Sequence, residues 1–397
     1  MRNMENIRLE KRGWAGVASL ALGSFASVTT EFLPVGLLPD VAGDYGITTG
    51  EAGMMMTLPG LLAAVAAPGV MMAAGKADRR WLLIGLSFLL LISASMSAWA
   101  PDWHIMLLSR GLTGISLGAF WAIGLAVAGR LVSQESAGKA IAAVFGGVTA
   151  AMILGVPFGT FVAGLFDWRT AFVAAALIAV VPLVLQLLFL SSVLAEDKLR
   201  PASLMNFIRR IEARKSILLI LLIFGTHFGT YTFLTPLLSD AGIGQAAITL
   251  SLLGFGVTGF ISNFVASAFV SEYLKSTLAS ALLVMMMSLL LMAAAHNAMW
   301  LIAGVLLWGG AWGALPLCLN INNRMASGEL IEAGSAMFTF TVQVAIASGS
   351  AAGGVIVDNL SIQKDFFSGT AFIVFSLIIL YGWKAGTKAE YALNRRN

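Results

Sequence analysis

The sequence predicts an all-α integral membrane protein with twelve transmembrane helices in two pseudo-symmetric six-helix halves. Three observations carry this. Of 397 residues, 58% are hydrophobic and 11% charged, with a mean hydropathy of +0.88; a water-soluble domain of that balance would expose large apolar patches. Apolar runs recur at about twenty residues or more, the length a helix needs to cross roughly 30 Å of hydrocarbon, and they lack the alternation of barrel strands. With both termini placed on one side, the tails and connections of that side hold 21 of the 24 Lys and Arg residues, which is the positive-inside pattern for an even number of spans.

A basic leader, 1–13, carries Arg2, Arg8, Lys11 and Arg12. The apolar run after it is too long for a signal-peptide core and no small-x-small site follows, so it is read as a retained first span. The N-terminal bundle, 14–191, then holds spans at 14–38, 51–74, 81–99, 104–129, 137–163 and 168–191. A charged stretch, 192–214, reads as a linker on the basic side. The C-terminal bundle, 215–385, holds spans at 215–239, 246–270, 276–295, 299–320, 333–357 and 366–385, and a tail occupies 386–397. Only Arg169 and Lys364 fall on the opposite side, and Arg110 lies inside a span. Shifting the chain by 196 residues brings "AGKAIAAV" (137–144) onto "AGSAMFTF" (333–340), and "GAFWAIG" (118–124) falls in the same span of its half as "GAWGALP" (310–316). Two related bundles with a site between them form the geometry of alternating access.

The chemistry concentrates in few residues. Nineteen of the twenty acids fall in predicted loops, tails or span edges, and Glu31 is the exception. An ionised carboxylate in hydrocarbon costs several kcal/mol unless it is paired or protonated, so Glu31 is a proton-coupling candidate. A structural ion pair is the alternative. Arg110 is available for it, since both residues lie roughly 10 Å deep at 1.5 Å per residue. His227, near the middle of span 7, has Tyr231 one turn further on the same face, and the two are candidate ligand contacts or simply helix-helix hydrogen-bonding groups. Phe120, Trp121, Trp308, Trp312, Asn263, Asn320 and Gln343 are candidates to line a cavity; the rings could equally pack or face lipid, whereas an amide in hydrocarbon needs a partner. His104 and His296 sit at span edges and are read as incidental.

Conformational candidates form a second group. In "AGKADRRW" (74–81), Gly75 permits a tight turn, Asp78 caps or bridges a helix end, and Arg79 and Arg80 face the anionic leaflet, as a latch or as orientation signals. In span 5, Gly155, Pro157 and Gly159 suit a helix that rocks, or one that is packed tightly; Pro34 bends span 1. The one cysteine, Cys318, permits neither an intrachain disulfide nor a thiol metal cluster. No Walker-type glycine loop or clustered metal or triad set occurs, so no enzyme activity, no metal and no cofactor beyond a proton gradient are expected. A sensor would carry a soluble output domain.

Several of these segments resemble the major facilitator superfamily in its twelve-span drug:proton antiporter branch: "GKADRR" (75–80), "LLSRGLTGISLG" (107–118) and "GVPFG" (155–159). "TTEFLPVGLL" (29–38), "GAFWAIG" (118–124), "DWRTAF" (167–172), and "EAGSA" (332–336) with "AAGGVIVDN" (351–359) are similar to bacterial sugar-efflux and purine-ribonucleoside-efflux transporters. The resemblance implies the major facilitator fold, a bacterial inner membrane with both termini cytoplasmic, and proton-driven export of small nucleoside-like, sugar-like or drug compounds. It puts Glu31 and Arg110 where the family's span-1 acid and span-4 arginine fall. Proton-coupled import of a nutrient uses the same parts and stays open. The expected partners are a small solute, protons and lipid, with no nucleic acid, and a monomer suffices.

Overall fold

The computed structural model of the chain describes residues 2–75, 77–194, 201–295 and 297–382. His296, part of the linker and the tail at 386–397 lie outside these. Span 1 is the helix Arg2–Tyr45, span 2 is Thr49–Ala52 continued by Met54–Ala74, and spans 3 to 6 are Arg79–Ala98, Trp103–Arg130, Ala137–Leu165 and Trp168–Phe189. A short helix, Pro201–Arg209, precedes span 7, which is Ile211–Tyr231 with the continuation Leu234–Asp240. Gln245–Ala294 is a single 50-residue helical run. At 1.5 Å per residue it would measure about 75 Å, far more than one crossing. It breaks at Tyr273, whose φ of −123° and ψ of 36° leave the helical region, and the two arms are spans 8 and 9. Spans 10 to 12 are Ala298–Ser327, Ile331–Asn359 and Ile362–Tyr381. Twelve crossings result.

Three ends differ from expectation, each because packing or capping overrides a polar residue. Span 1 runs on past Pro39 and Asp40 to Tyr45, whose hydroxyl donates to the Ala100 carbonyl at 2.9 Å while its ring packs on Trp103 and Trp168. Span 10 continues beyond Asn320, because the buried Asn323 is satisfied from both sides: it accepts from Ser216 Oγ at 3.2 Å and donates to the Gly334 carbonyl at 2.8 Å. Span 12 starts at Ile362 because the Ser361 hydroxyl accepts from the Lys364 N–H. Acids at other span mouths do the same work, with Asp102 and Asp167 capping spans 4 and 6. Hydrogen bonds from the Thr170 N–H and hydroxyl hold Asp167 below the usual carboxylate range.

Helix contacts inside each half are set by glycine. A Cβ on Gly147 would lie 2.1 Å from the Ala21 carbonyl oxygen and one on Gly114 would lie 2.2 Å from that of Pro59, so spans 1 and 5, and spans 2 and 4, meet backbone to backbone. Between the halves the contacts gather toward the face opposite the basic one. Asp358, near the end of span 11, accepts from the Thr48 hydroxyl at 2.7 Å and the Gly50 N–H at 2.8 Å, at the N-terminus of span 2. There the exposed helix dipole favours an anion. On the other flank Gln245 Nε2 donates to the Thr160 carbonyl at 3.2 Å, and Thr249 and Thr160 share a hydroxyl contact at 3.0 Å. Phe32 stacks on Phe228 between these two clasps, with centroids 5.3 Å apart. Replacing Asp358 with Ala is expected to loosen this face. Spin labels at Gly43 and Leu360, both exposed near the ends of spans 1 and 11, should then report a longer mean distance; an unchanged distance distribution would show that the clasp does not hold the face shut.

Candidate functional site

Arg110 is 0% exposed and Glu31 3%, yet no ion pair joins their side chains among the described residues. The reason lies in two prolines. A proline has no N–H for the carbonyl four residues earlier, so Pro34 orphans the Thr30 carbonyl and Pro59 orphans that of Met55. Arg110 takes both: Nη1 donates to Thr30 O at 2.9 Å and Nε to Met55 O at 3.2 Å. Its remaining contacts are Nη2 to the Glu31 backbone carbonyl at 2.8 Å and Nη1 to the Thr113 hydroxyl at 3.2 Å. The expected side-chain pair is thus replaced by a guanidinium that knots spans 1, 2 and 4 through their backbones, its charge still close to the acid. Glu31 Oε1 is buried without a hydrogen-bond partner among the described residues, as is Oε1 of Gln343, from span 11 of the other half.

Next to Glu31, Phe32 forms part of the wall of a cavity between the halves with an empty volume of about 840 Å³, part of it open to solvent. Span 5 contributes Thr149, Met152 and Ile153; spans 7, 8 and 10 contribute His227, Phe228, Tyr231, Phe255, Asn263 and Trp312. His227 lies between two rings, parallel to Trp312 with centroids 3.3 Å apart and to Tyr231 at 5.0 Å. The helical spacing that puts Tyr231 one turn beyond His227 therefore builds a stack. His227 Nδ1 and Trp312 Nε1 are buried without a hydrogen-bond partner in the protein. Flat aromatic walls with a few unused polar atoms suit a planar, polar-edged solute.

The other predicted residues divide. Asn263 lines the cavity and donates to the Gly313 carbonyl at 2.9 Å. Trp308 backs the stack, meeting His227, Tyr231 and Phe366 edge-on. Phe120 does not line the cavity: Gly23 leaves room for its ring, and it packs with Leu20 and Val144 in a core of the N-terminal half. Trp121 also lies off the lining, against Phe145, and Asn320 is exposed and outside it. Gly155 and Gly159 abut Thr29 and Leu33 of span 1. The loop around Gly75 stays within its own half, where Asp78 Oδ1 accepts from the Arg80 and Val193 N–H groups and Arg80 donates to the Leu187 carbonyl. Partial burial alone would raise Asp78; hydrogen bonds from Ser192, Arg80 and Val193 outweigh it and lower the group. Arg79 donates back to the Gly75 carbonyl. Among the described residues this loop shows no hydrogen bond or ion pair to the other half; its carboxylate is engaged by the end of span 6.

Glu31 is also not the one buried acid. Asp365, in the first turn of span 12, is 3% exposed with Oδ2 unpartnered. The expected start of span 12 at 366 had placed it in a connection, and the Ser361 cap moves it inside.

The profile of the Major Facilitator Superfamily matches residues 20–350. The chain belongs to that superfamily. Its fold agrees with other major facilitator structures: a crystal structure of a variant of the nucleoside transporter NupG superposes with a TM-score of 0.75 at 14% identity, covering 94% of this chain and 99% of that one. The human organic anion transporter TETRAN gives 0.66 at 16% identity, covering 93% and 99%. Among sequence relatives, the purine ribonucleoside efflux pump NepI of Escherichia coli is 28% identical over 374 residues, covering 94% of each chain. The corresponding pump of Shigella dysenteriae is 28% identical over 374 residues, covering 94% of this chain and 95% of that one. This major facilitator protein is thus a multi-pass membrane transporter similar to nucleoside efflux pumps.

Proposed function

We propose that the protein is a proton-coupled antiporter that exports small planar solutes of the nucleoside type by alternating access. The observation that carries this reading is the placement of a buried carboxyl, Glu31, at the junction of the two halves and one residue from the wall of an aromatic cavity. A group whose charge is costly when the halves close around it, and cheap when water reaches it, links proton exchange to rocking. Charge orients the chain: the basic face is cytoplasmic, with both termini inside, in a bacterial inner membrane. The clasps at Asp358 and Thr160 then close the outer face. The similarity to purine ribonucleoside pumps favours export of a nucleoside over that of a bulky drug, although a role in multidrug resistance uses the same parts. His227, Tyr231, Trp312 and Asn263 contact the solute, Gly155, Pro157, Gly159 and Pro34 shape the moving helices, and a monomer driven by the proton gradient alone suffices.

The test uses purified protein reconstituted in vesicles loaded with inosine, with an imposed proton gradient. Wild type is expected to move inosine against its gradient, and Glu31→Gln to retain inosine binding while losing gradient-driven movement by tenfold or more. Gradient-driven transport that survives in Glu31→Gln would refute the assignment of Glu31, and accumulation in the direction of proton flow would replace antiport with symport.

A further inference from the structure

We infer that the hollow between the ends of spans 9 and 12, on the membrane face opposite the basic one, binds an anionic phospholipid, with the phosphate at Lys364 and an acyl chain along the groove. The inference does not depend on the proton-coupling reading of Glu31. Its first support is shape. Leu290, Ala293 and Ala294 of span 9 and Gln363, Lys364 and Phe367 of span 12 line a groove with an empty volume of about 510 Å³, part of it open to the surroundings. Span 12 turns Ile362, Asp365 and Phe366 into the bundle and leaves Gln363, Lys364 and Phe367 outward. On span 9, Ala293 and Ala294 follow a run of leucine and methionine, and their short side chains leave the hollow between the exposed Leu290 and Phe367. Both helices cross the membrane, so this apolar wall faces hydrocarbon, and a lipid chain is what fills it.

The second support is charge. Lys364 and Arg169 are the two Lys or Arg residues on this side. Arg169 has its anion within the protein, pairing with Asp44 and lying over the Trp168 ring. Lys364 does not: among the described residues no acid pairs with its ammonium, and Asp365, beside it in sequence, is buried while Lys364 is exposed. A lysine lays its apolar stem along the groove and carries its charge to the interface, where a phosphate lies. The Gln363 amide offers further donors, and the N-terminal end of this 20-residue helix adds a field that favours an anion. Leu290 and Phe367 lie about one turn deeper than these polar groups, so head and tail sites come in the order a phospholipid presents them. A zwitterionic headgroup carries its own ammonium beside the phosphate and gains less from Lys364, which makes the site selective for anionic lipid.

The test reads the occupant of the groove directly. Phe367 is replaced by benzoylphenylalanine and the protein is placed in nanodiscs of equal parts phosphatidylglycerol and phosphatidylethanolamine with identical chains; light then crosslinks whichever lipid lies in the groove. Crosslinked phosphatidylglycerol is expected to exceed phosphatidylethanolamine about fivefold. Lys364→Gln should bring the ratio close to one, Lys364→Arg should keep most of it, and Ala294→Phe, which fills the hollow, should lower crosslinking to both lipids. Equal crosslinking of the two lipids with Lys364 in place, a preference unchanged in Lys364→Gln, or an unchanged yield in Ala294→Phe would each overturn the inference. Loss of the preference on adding inorganic phosphate, but not chloride at the same ionic strength, would assign the site to a free anion and overturn the lipid. Lys364 and Ala294 are exposed, and a melting temperature close to that of the parent protein separates these results from misfolding.

Discussion

Arg110→Ala is expected to cost about 3 kcal/mol or more of stability and to abolish transport, whatever the substrate. The substitution leaves the Thr30 and Met55 carbonyls buried without a donor, and each orphaned group costs about 1–3 kcal/mol. It also removes the cation beside Glu31. Arg110→Lys should recover little, because one ammonium cannot reach carbonyls on two helices in the fixed fork that the guanidinium supplies. The distinguishing experiment is a double-mutant cycle with Pro34→Ala. That change restores an N–H able to bond Thr30 O, so the loss caused by Arg110→Ala should shrink in its presence, read as melting temperature in detergent. Strict additivity would show that the proline and the arginine are not partners at the Thr30 carbonyl.

Gly313→Val is expected to be comparably damaging, for steric reasons. A Cβ at this position would lie 1.8 Å from the Gly259 carbonyl oxygen, so spans 8 and 10 must separate before any side chain fits. Overpacking of this kind costs about 1–3 kcal/mol where the surroundings yield, and more where backbone is the obstacle. The neighbouring Trp312 and the bond from Asn263 to the Gly313 carbonyl would both be displaced, so binding should fail even in protein that still folds. Gly310→Val is the control, since nothing lies within 4 Å of a Cβ there. Detergent-stable yield and inosine binding should fall for the first and hold for the second; equal behaviour would mean that the helices have slack at Gly259.

Much of the fold was legible because hydrocarbon imposes a length and a polarity on every crossing. The break at Tyr273 falls between runs that hydropathy separates at 270 and 276, even though the helix has no loop there. The ends were less legible where a polar residue is buried by tertiary contacts: Asn323 and Asp365 both read as exits from the membrane until their surroundings are known. At the site, the one-turn spacing of His227 and Tyr231 carried the stack, but Phe120 and Asn320 could not be sorted from Trp312 and Asn263 without knowing which way each helix faces. The contacts of Arg110 did leave a signal. A proline at position i+4 marks a carbonyl in need of a donor, and Pro34 and Pro59 mark those of Thr30 and Met55. The motif "AAGGVIVDN" likewise has a structural meaning: Gly353 packs on Gly229, Gly354 on Gly50, and Asp358 bonds Thr48.

The loop-free kink at Tyr273 sets a phase relation between two crossings. Leu278, Leu282, Met285, Leu289 and Met292 form the buried stripe of span 9, and no loop stands between that stripe and span 8 to absorb a change in register. One inserted residue would turn the whole stripe by about 100° around its axis, out toward lipid, whereas four would return it to within about 40° of its place. Chain length at this bend is therefore counted in helical turns, and an evolving sequence can lengthen it only in steps that keep the two helices in phase.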